Sequence, residues 1–441
     1  MCPSRYESWG RFPTAKHEAI ELRWRDENLP LPNTAEQSAL PYGNGRSYGD
    51  VCLNDGGLLF DCRGLDRFIS FDSDAGLLRC EAGVLLSEIL ALSVPRGWFL
   101  SVTPGTQFVT VGGAIANDVH GKNHHREGTF GCHIRSFELL RTDGTRLLCS
   151  PQQNADWYAA TIGGLGLTGV IVSAEIQLKP VQSALLEQET IRFGDLSEFF
   201  VLSDESDKKF EYTAAWIDCL GRGSTLGRGL FTRANHVESD SNRQPPAPRT
   251  RLSVPFDSPV TLVNNWSIRL FNSLYYRAHS NGNKPNRQHY ANFMYPLDRI
   301  QHWNRIYGRS GFLQYQCVIP RRDAADAIAE LLRRISSART GSFFSVIKMF
   351  GDRTSPGYLS FPQPGATLAL DFPNRGAGTL RLLEDLDAVT RQAGGAVYAA
   401  KDSCMSAESF QAYYPQWQRL IPFIDPRLSS GFWRRVTTDV G

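Results

Sequence analysis

The chain has 441 residues, of which 41% are hydrophobic and 21% charged, ordinary globular usage that excludes collagen, wholesale disorder and disulfide-stapled miniproteins. Its 47 basic and 45 acidic side chains leave a net charge of +2, too weak a field for a dedicated nucleic-acid binder. The nine cysteines are odd in number and scattered, with no Cys-x-x-Cys pair, which points to reduced thiols in a cytoplasmic setting. No apolar stretch approaches the ~20 residues of a membrane span, and the opening MCPSRYESWGRF lacks the apolar centre of a secretory signal. Peripheral contact with a membrane surface stays open.

Short apolar runs separated by glycine turns fill the first part of the chain, the texture of a cofactor-binding domain. GLLFD (57 to 61), RFISF (67 to 71) and LLRCEAG (77 to 83) read as strands. In VLLSEILALS, the residues Leu85, Leu86, Ile89 and Leu90 share one helical face, and Pro95 and Gly97 end that helix. Asp143-Gly144 between two apolar runs marks a hairpin turn. Strict alternation from Val170 to Leu178 predicts a half-buried strand that Lys179-Pro180 breaks, and a first boundary falls near residue 182. Beyond it, strand-like runs at 210 to 218, 313 to 320 and 343 to 350 mix with two amphipathic helices. One carries Ile328, Leu331, Leu332 and Ile335; the other carries Leu382, Leu383, Leu386 and Val389 and stops at Gly394-Gly395. Helices over a largely antiparallel sheet, an α+β layer, is the economical architecture. The polar, proline-rich stretch 234 to 259 reads as a mobile loop.

Gly164-Leu-Gly166-Leu-Thr-Gly169 has dinucleotide-fingerprint spacing, but a helical segment precedes it and a strand comes after, the reverse of the nicotinamide-binding order. A glycine turn that lets backbone approach a ligand fits better. Gly43 to Gly49, Pro104-Gly-Thr106 and Val111-Gly-Gly-Ala114 are further turns of this kind, able to surround phosphates with backbone amides. Four of the nine histidines fall between His120 and His133, yet their spacing is loose for zinc, and no metal is assigned. Tyr212, Trp216, Tyr295, Phe312 and Tyr315 read individually as core aromatics. Lys348 and Lys401 end or interrupt apolar runs, where a lysine needs a partner or a job.

Together YGNGRSYGD (42 to 50), TPGTQFVTVGGAIANDVHGKNHH (103 to 125), GGLGLTG (163 to 169), FLQYQ (312 to 316), IKMFG (347 to 351) and AAKDS (399 to 403) resemble the decaprenylphosphoryl-β-D-ribose 2′-oxidase family of vanillyl-alcohol-oxidase-like flavoproteins. The resemblance runs in order over almost the whole chain. It implies a two-domain α+β FAD-binding fold of the vanillyl-alcohol-oxidase (PCMH-like) type. Residues 1–182 and 396–441 would form the FAD domain, and 183–395 an antiparallel-sheet substrate domain. By resemblance, FAD is held by Asn44, Gly45, Arg46, Ser47, Tyr48, Gly49, Gly105, Thr110, Val111, Gly112, Gly113, Asn117, His120, Val172 and Tyr398. Many relatives tether FAD through a histidine in the first glycine turn. Asn44 to Tyr48 contains none, which implies non-covalent FAD. Two departures stand out: Ala369 replaces a pocket cysteine of the relatives, and Met294-Tyr-Pro-Leu-Asp298 shifts their pocket tyrosine by one position.

The implied reaction removes the carbinol hydrogen of a secondary alcohol to the flavin and the hydroxyl proton to a base. Lys401 is the first candidate base and His120 the second, with Tyr48 against the ring. Trp216, Gln314, Gln316, Lys348 and Lys401 would meet the substrate. That substrate is a polyprenyl-phosphoryl-β-D-ribose oxidised at its 2′-hydroxyl to the keto sugar, the first half of an epimerisation to an arabinose donor. An NAD(P)H-dependent short-chain reductase would complete the epimerisation, and quinone or oxygen would reoxidise the flavin. A lipid-linked substrate places the protein in the cytoplasm at the inner face of the plasma membrane. Two alternatives remain: an alditol or aldonolactone oxidase of the same superfamily, and a non-enzymatic flavin-binding assembly protein.

Overall fold

Apolar runs between glycine turns pair into two sheets over the first 180 residues. The computed structural model describes residues 6–31, 34, 37–238, 252–258, 263–279 and 285–437. Strands Glu18–Glu21, Leu58–Asp61 and Ala39–Tyr42 form a parallel trio with Leu58–Asp61 in the middle. Six further strands form an antiparallel sheet around Val170–Pro180, which pairs with Leu77–Glu81 on one edge and Ile134–Leu140 on the other.

The half-buried alternation expected of that central strand holds over 174–179 but not at its start. Residues 170–174 are buried throughout, because Val170 and Val172 pack with Leu58 and Phe60 of the trio while Ile171 borders a cavity. Nor do Lys179 and Pro180 break it. They pair with Phe99 and Trp98, and proline is tolerated at the last strand position, where its missing N–H is not needed.

The rest of the chain builds an eight-stranded antiparallel sheet. Its order is Asn286–His289, Leu185–Phe193, Gly229–His236, Tyr212–Ile217, Ser345–Phe350, Gly365–Pro373, Phe312–Pro320 and Ala396–Val397. Helices Ala324–Ser337 and Ala377–Gln392 bury their eight expected apolar residues, each contributing about 1.5–3 kcal/mol relative to exposure. Period-two alternation in Phe312–Pro320 separates the two faces. Tyr315 points toward the helices, where its hydroxyl lies 2.8 Å from Thr390 Oγ1, while Gln314 and Gln316 face a cavity. Of the stretch 234 to 259, residues 234–236 belong to strand Gly229–His236, and Leu252–Ser253 pairs in parallel with Ile300–Gln301. Residues 239–251 and 259 lie outside the described residues.

The last strand ties the two ends of the chain together. Ala396–Val397 adds to the edge of the eight-stranded sheet beside Cys317 and Val318, and the chain then turns back against the first glycine loop. Tyr48 N donates to Ala400 O at 2.9 Å. At Gly49 the approach is closer still: an added Cβ would stand 1.7 Å from the Asp402 carbonyl oxygen. Gly49→Ala should therefore lower folding stability by at least about 2 kcal/mol, whereas Gly105→Ala, with nothing within 4 Å of its Cβ position, should not. Urea midpoints measure both, and an unchanged midpoint for Gly49→Ala would contradict the close docking.

Candidate active site

Three glycine loops and one sheet face enclose a cavity of about 630 Å³, a volume within the usual range for small-molecule and cofactor sites. The first loop extends from strand Ala39–Tyr42. Among the described residues, the backbone N–H groups of Asn44, Gly45, Arg46 and Ser47 have no protein acceptor, and Gly45 has φ +58°. Successive free N–H groups at such a turn form an anion-binding nest. The Arg46 guanidinium stacks 4.2 Å from the Trp9 ring and borders the cavity.

The second loop, 103 to 110, leads into the short helix Val111–Ala116, whose first turn is capped by Thr110 Oγ1 accepting from Gly113 N at 3.2 Å. Asn44 Nδ2 ties the two loops together by donating to Phe108 O at 2.8 Å. The third, 163 to 169, is pinned to that helix by Gly163 N donating to Ile115 O (3.0 Å) and Leu165 N to Ala116 O (2.8 Å). Helix before and strand after the glycines is the order expected from the sequence.

The opposite wall comes from the eight-stranded sheet. Gln316 faces Ala369 across one strand pair, and Ala369 faces Val346 across the next. Gln314 pairs with Asp371 likewise, its Nε2 donating to Asp371 Oδ1 at 2.5 Å. Lys401 arrives from the C-terminal segment, and its Nζ sits 3.8 Å from the centroid of the Tyr48 ring. Tyr398 Oη donates to Asn117 O at 2.7 Å.

Electrostatics in this space are governed by desolvation. Burial lowers the Lys401 amine to about 7, with Asp371 opposing the shift. Burial also lowers Lys348 to about 7, helped by Lys122 and Lys401, and lowers Lys122 to about 7. Asp371 is raised to about 7 by burial. His120 is held well below its ordinary value by burial, then by Lys348, His124 and Lys401, so its ring is neutral.

A neutral imidazole has one N–H and one bare nitrogen. Gln316 Nε2 donates to Thr367 Oγ1 (3.2 Å) and lies 3.0 Å from His120 Nε2, which makes Nε2 the acceptor and leaves the ring proton on Nδ1. Lys348 Nζ stands 3.0 Å from Nδ1 and donates to Gly121 O at 2.8 Å. It therefore accepts from His120 as a free amine, in keeping with its lowered pKa. The amide of Gln316 thus sets the tautomer of His120 and, through it, the charge on Lys348.

Of the residues singled out from the sequence, Asn44, Gly45, Arg46, Ser47, Tyr48, Gly105, Thr110, Gly112, Gly113, Asn117, His120, Gln314, Gln316, Lys348, Tyr398 and Lys401 all border the cavity. Four do not. Val111 is in the core and Gly49 abuts the Asp402 backbone. The strand pleat turns Val172 into the core beside Leu140 and presents Ile171 instead. Trp216 lies one strand beyond Val346 on the same face, where its Nε1 donates to Phe343 O and its ring meets Tyr275. Asp371, Lys122, Asp298 and Trp9 line the cavity without having been singled out. An acid inside the apolar run LALDFP carried the same signal that exposed Lys348. Around the histidine cluster, His125 Nε2 pairs with Phe210 O and His133 Nε2 with Glu127 O, and among the described residues no group of three or more histidine, cysteine or acidic side chains is arranged for a metal.

Comparison with known proteins identifies residues 30–150 as an FAD-binding domain. The chain is 36% identical to the decaprenylphosphoryl-β-D-ribose oxidase of Mycolicibacterium smegmatis, over 96% of this chain and 94% of that protein. It is 34% identical to an uncharacterized protein of Streptomyces coelicolor over 78% of this chain and 96% of that one. L-Gulonolactone oxidase of Mus musculus is more distant, 29% identical over 47% of this chain and 46% of its own length. The cavity fits FAD on its own evidence. The free N–H groups of 44 to 47 suit a diphosphate, and Asn117 Oδ1 and Arg46 Nε are buried without a partner beside the same space.

The histidine assignment is directly measurable. In ring-labelled protein, His120 should remain neutral and protonated on Nδ1 at pH 6, below the ordinary histidine value of 6.5, as read from its 15N shifts against a His120→Gln control. An imidazolium signal at that pH would contradict the assignment.

Proposed function

This chain belongs to the decaprenylphosphoryl-β-D-ribose oxidase family of FAD-dependent oxidoreductases, and we propose that it oxidises the 2′-hydroxyl of a polyprenyl-phosphoryl-β-D-ribose to the 2′-keto sugar. The observation that carries this reading is the Lys401 amine, near-neutral at physiological pH, placed in one cavity with the diphosphate nest of 44 to 47 and with Lys348, Gln314 and Gln316. In this reading residues 1–182 with 396–441 hold the cofactor and 183–395 the substrate.

Bound FAD supplies the two-electron acceptor for the carbinol hydrogen. The backbone of 44 to 47 and the Arg46 guanidinium would hold its diphosphate. Thr110 to Asn117 and Tyr398 would hold the ring, and Asn117 Oδ1 offers a buried acceptor to a ring N–H. No histidine stands in the first loop, which supports non-covalent attachment.

Lys401, as free amine, takes the proton of the 2′-hydroxyl. A base with a pKa near the working pH combines a large deprotonated fraction with adequate proton affinity. Tyr48 fixes the amine by presenting its ring face to an Nζ N–H. Lys348, as a free amine, donates one N–H to Gly121 O and has a second for the phosphate linking sugar to lipid, while Gln314 and Gln316 meet sugar hydroxyls. His120, with its proton directed at Lys348, orients rather than accepts. Quinone or oxygen would reoxidise the flavin, and an NAD(P)H-dependent short-chain reductase would reduce the keto sugar. Cytoplasmic placement at the inner membrane face accords with the lipid-linked substrate; among the described residues no helix is long and apolar enough to cross a membrane.

Anaerobic mixing with a short-chain polyprenyl-phosphoryl ribose should bleach the flavin absorbance, and Lys401→Ala should slow that step by ~10²-fold or more while retaining FAD. Acid precipitation of either protein should leave the flavin in the supernatant. Bleaching by soluble alditols or aldonolactones in place of the lipid-linked ribose would move the substrate to the polyol class, and an unslowed Lys401→Ala would remove this residue from proton transfer.

A further inference from the structure

Helix Asn265–Ala278 turns three large apolar residues outward. Trp266 is 83% exposed, Leu270 63% and Leu274 59%, and their spacing of four residues sets them in a single stripe. The inward face is narrow and partly polar: Ile268 is buried, Asn272 Nδ2 donates to Asp218 Oδ1 at 2.7 Å, and Tyr276 Oη donates to Phe193 O at 3.2 Å. A surface helix of a soluble protein normally shows the reverse arrangement.

The helix contains no acidic residue. Arg269 and Arg277 are exposed along the stripe, and neither forms an ion pair among the described residues. Two copies meeting through this face would bring arginines together with no acid on the helix to answer them. An anionic lipid surface supplies both the apolar phase and the countercharge.

The other side of the helix leads toward the cavity. Phe271 on the same helix packs 5.2 Å from Phe343, whose neighbour Phe344 lines the cavity. Phe344 in turn lies 6.4 Å from Trp303 on the cavity wall. Beside that wall, strand Leu252–Ser253 pairs with Ile300–Gln301, and Leu252 and Phe256 are 64% and 69% exposed. Two exposed apolar patches thus flank one stretch of cavity rim.

We propose that helix Asn265–Ala278, with Leu252 and Phe256, is an interfacial docking surface for an anionic bilayer, holding the cavity rim against the leaflet that carries the lipid-linked sugar. This rests on the reading of the substrate as a polyprenyl-phosphoryl ribose. A helix lying in the headgroup region buries its apolar face at the acyl boundary while its arginines stay among the phosphates.

The test is co-sedimentation of the FAD-loaded protein with sucrose-filled vesicles of equimolar phosphatidylglycerol and phosphatidylcholine, and of phosphatidylcholine alone. The wild type should bind the anionic vesicles, weaken by tenfold or more in 0.5 M salt or on phosphatidylcholine alone, and lose tenfold or more in the triple variant Trp266→Ser, Leu270→Ser, Leu274→Ser. A double variant Arg269→Glu, Arg277→Glu should lose binding to anionic vesicles only. Both variants should keep the wild-type rate of flavin bleaching by a soluble short-chain substrate, which also reports that they fold. Wild-type protein that ignores anionic vesicles, or a triple variant that binds them normally, overturns the proposal. So does a wild-type dimer in sedimentation velocity that the triple variant converts to monomer. A protein that binds vesicles but whose flavin no polyprenyl-phosphoryl ribose reduces would refute the substrate reading and leave the docking surface standing.

Discussion

Three lysine amines share one desolvated cavity, and most of the chemistry derives from that constraint. Taking an ammonium out of water costs several kcal/mol even after relaxation, and a group so placed lowers its pKa instead of staying charged. Lys122, Lys348 and Lys401 all fall to about 7. Each has a different neighbour. Lys122 donates to the Phe293 and Met294 carbonyl oxygens, Lys348 meets His120 and the Gly121 carbonyl, and Lys401 has an aromatic face with Asp371 nearby. Among the described residues Lys401 alone of the three makes no hydrogen bond through Nζ.

The fold meets this constraint by bringing distant segments to one place. The glycine loops contribute backbone donors and a single cation, the Arg46 guanidinium stacked on Trp9, toward an anionic cofactor. The sheet contributes glutamines and Asp371 at alternate positions of two adjacent strands. Lys401 reaches the cavity because Ala396–Val397 first joins the sheet edge and the chain then docks on the Tyr48 loop. An edge strand two residues long is weak by itself; the hydrogen bond from Tyr48 N and the steric fit at Gly49 supply the rest.

Much of this was legible in the sequence. Periodicity located helices Leu86–Ser93, Ala324–Ser337 and Ala377–Gln392 and several strands, but not helices Leu196–Asp207 or Asn265–Ala278, and the glycine clusters marked the loops that line the cavity. FAD itself was not readable from glycine spacing, which shows only that a ligand can approach backbone; the resemblance named it and the family match supports it. Where singled-out side chains miss the cavity wall, the causes are physical. Val172 and Ile171 look alike as apolar residues, and only the packing of two sheets decides which faces inward. Trp216 shares the pleat of Val346 but stands one strand too far from the cavity, a distance that sequence patterning does not contain. Asp371 was passed over, although an acid inside the apolar run LALDFP needed the same explanation as Lys348.

The central claim, a desolvated Lys401 amine poised near neutrality, is open to direct titration. In FAD-loaded protein with 13C at lysine Cε, the resonance absent from Lys401→Met should shift with a midpoint near pH 7. A midpoint at 10 or above would show an ordinary ammonium, unable to act as the base, and would contradict the account.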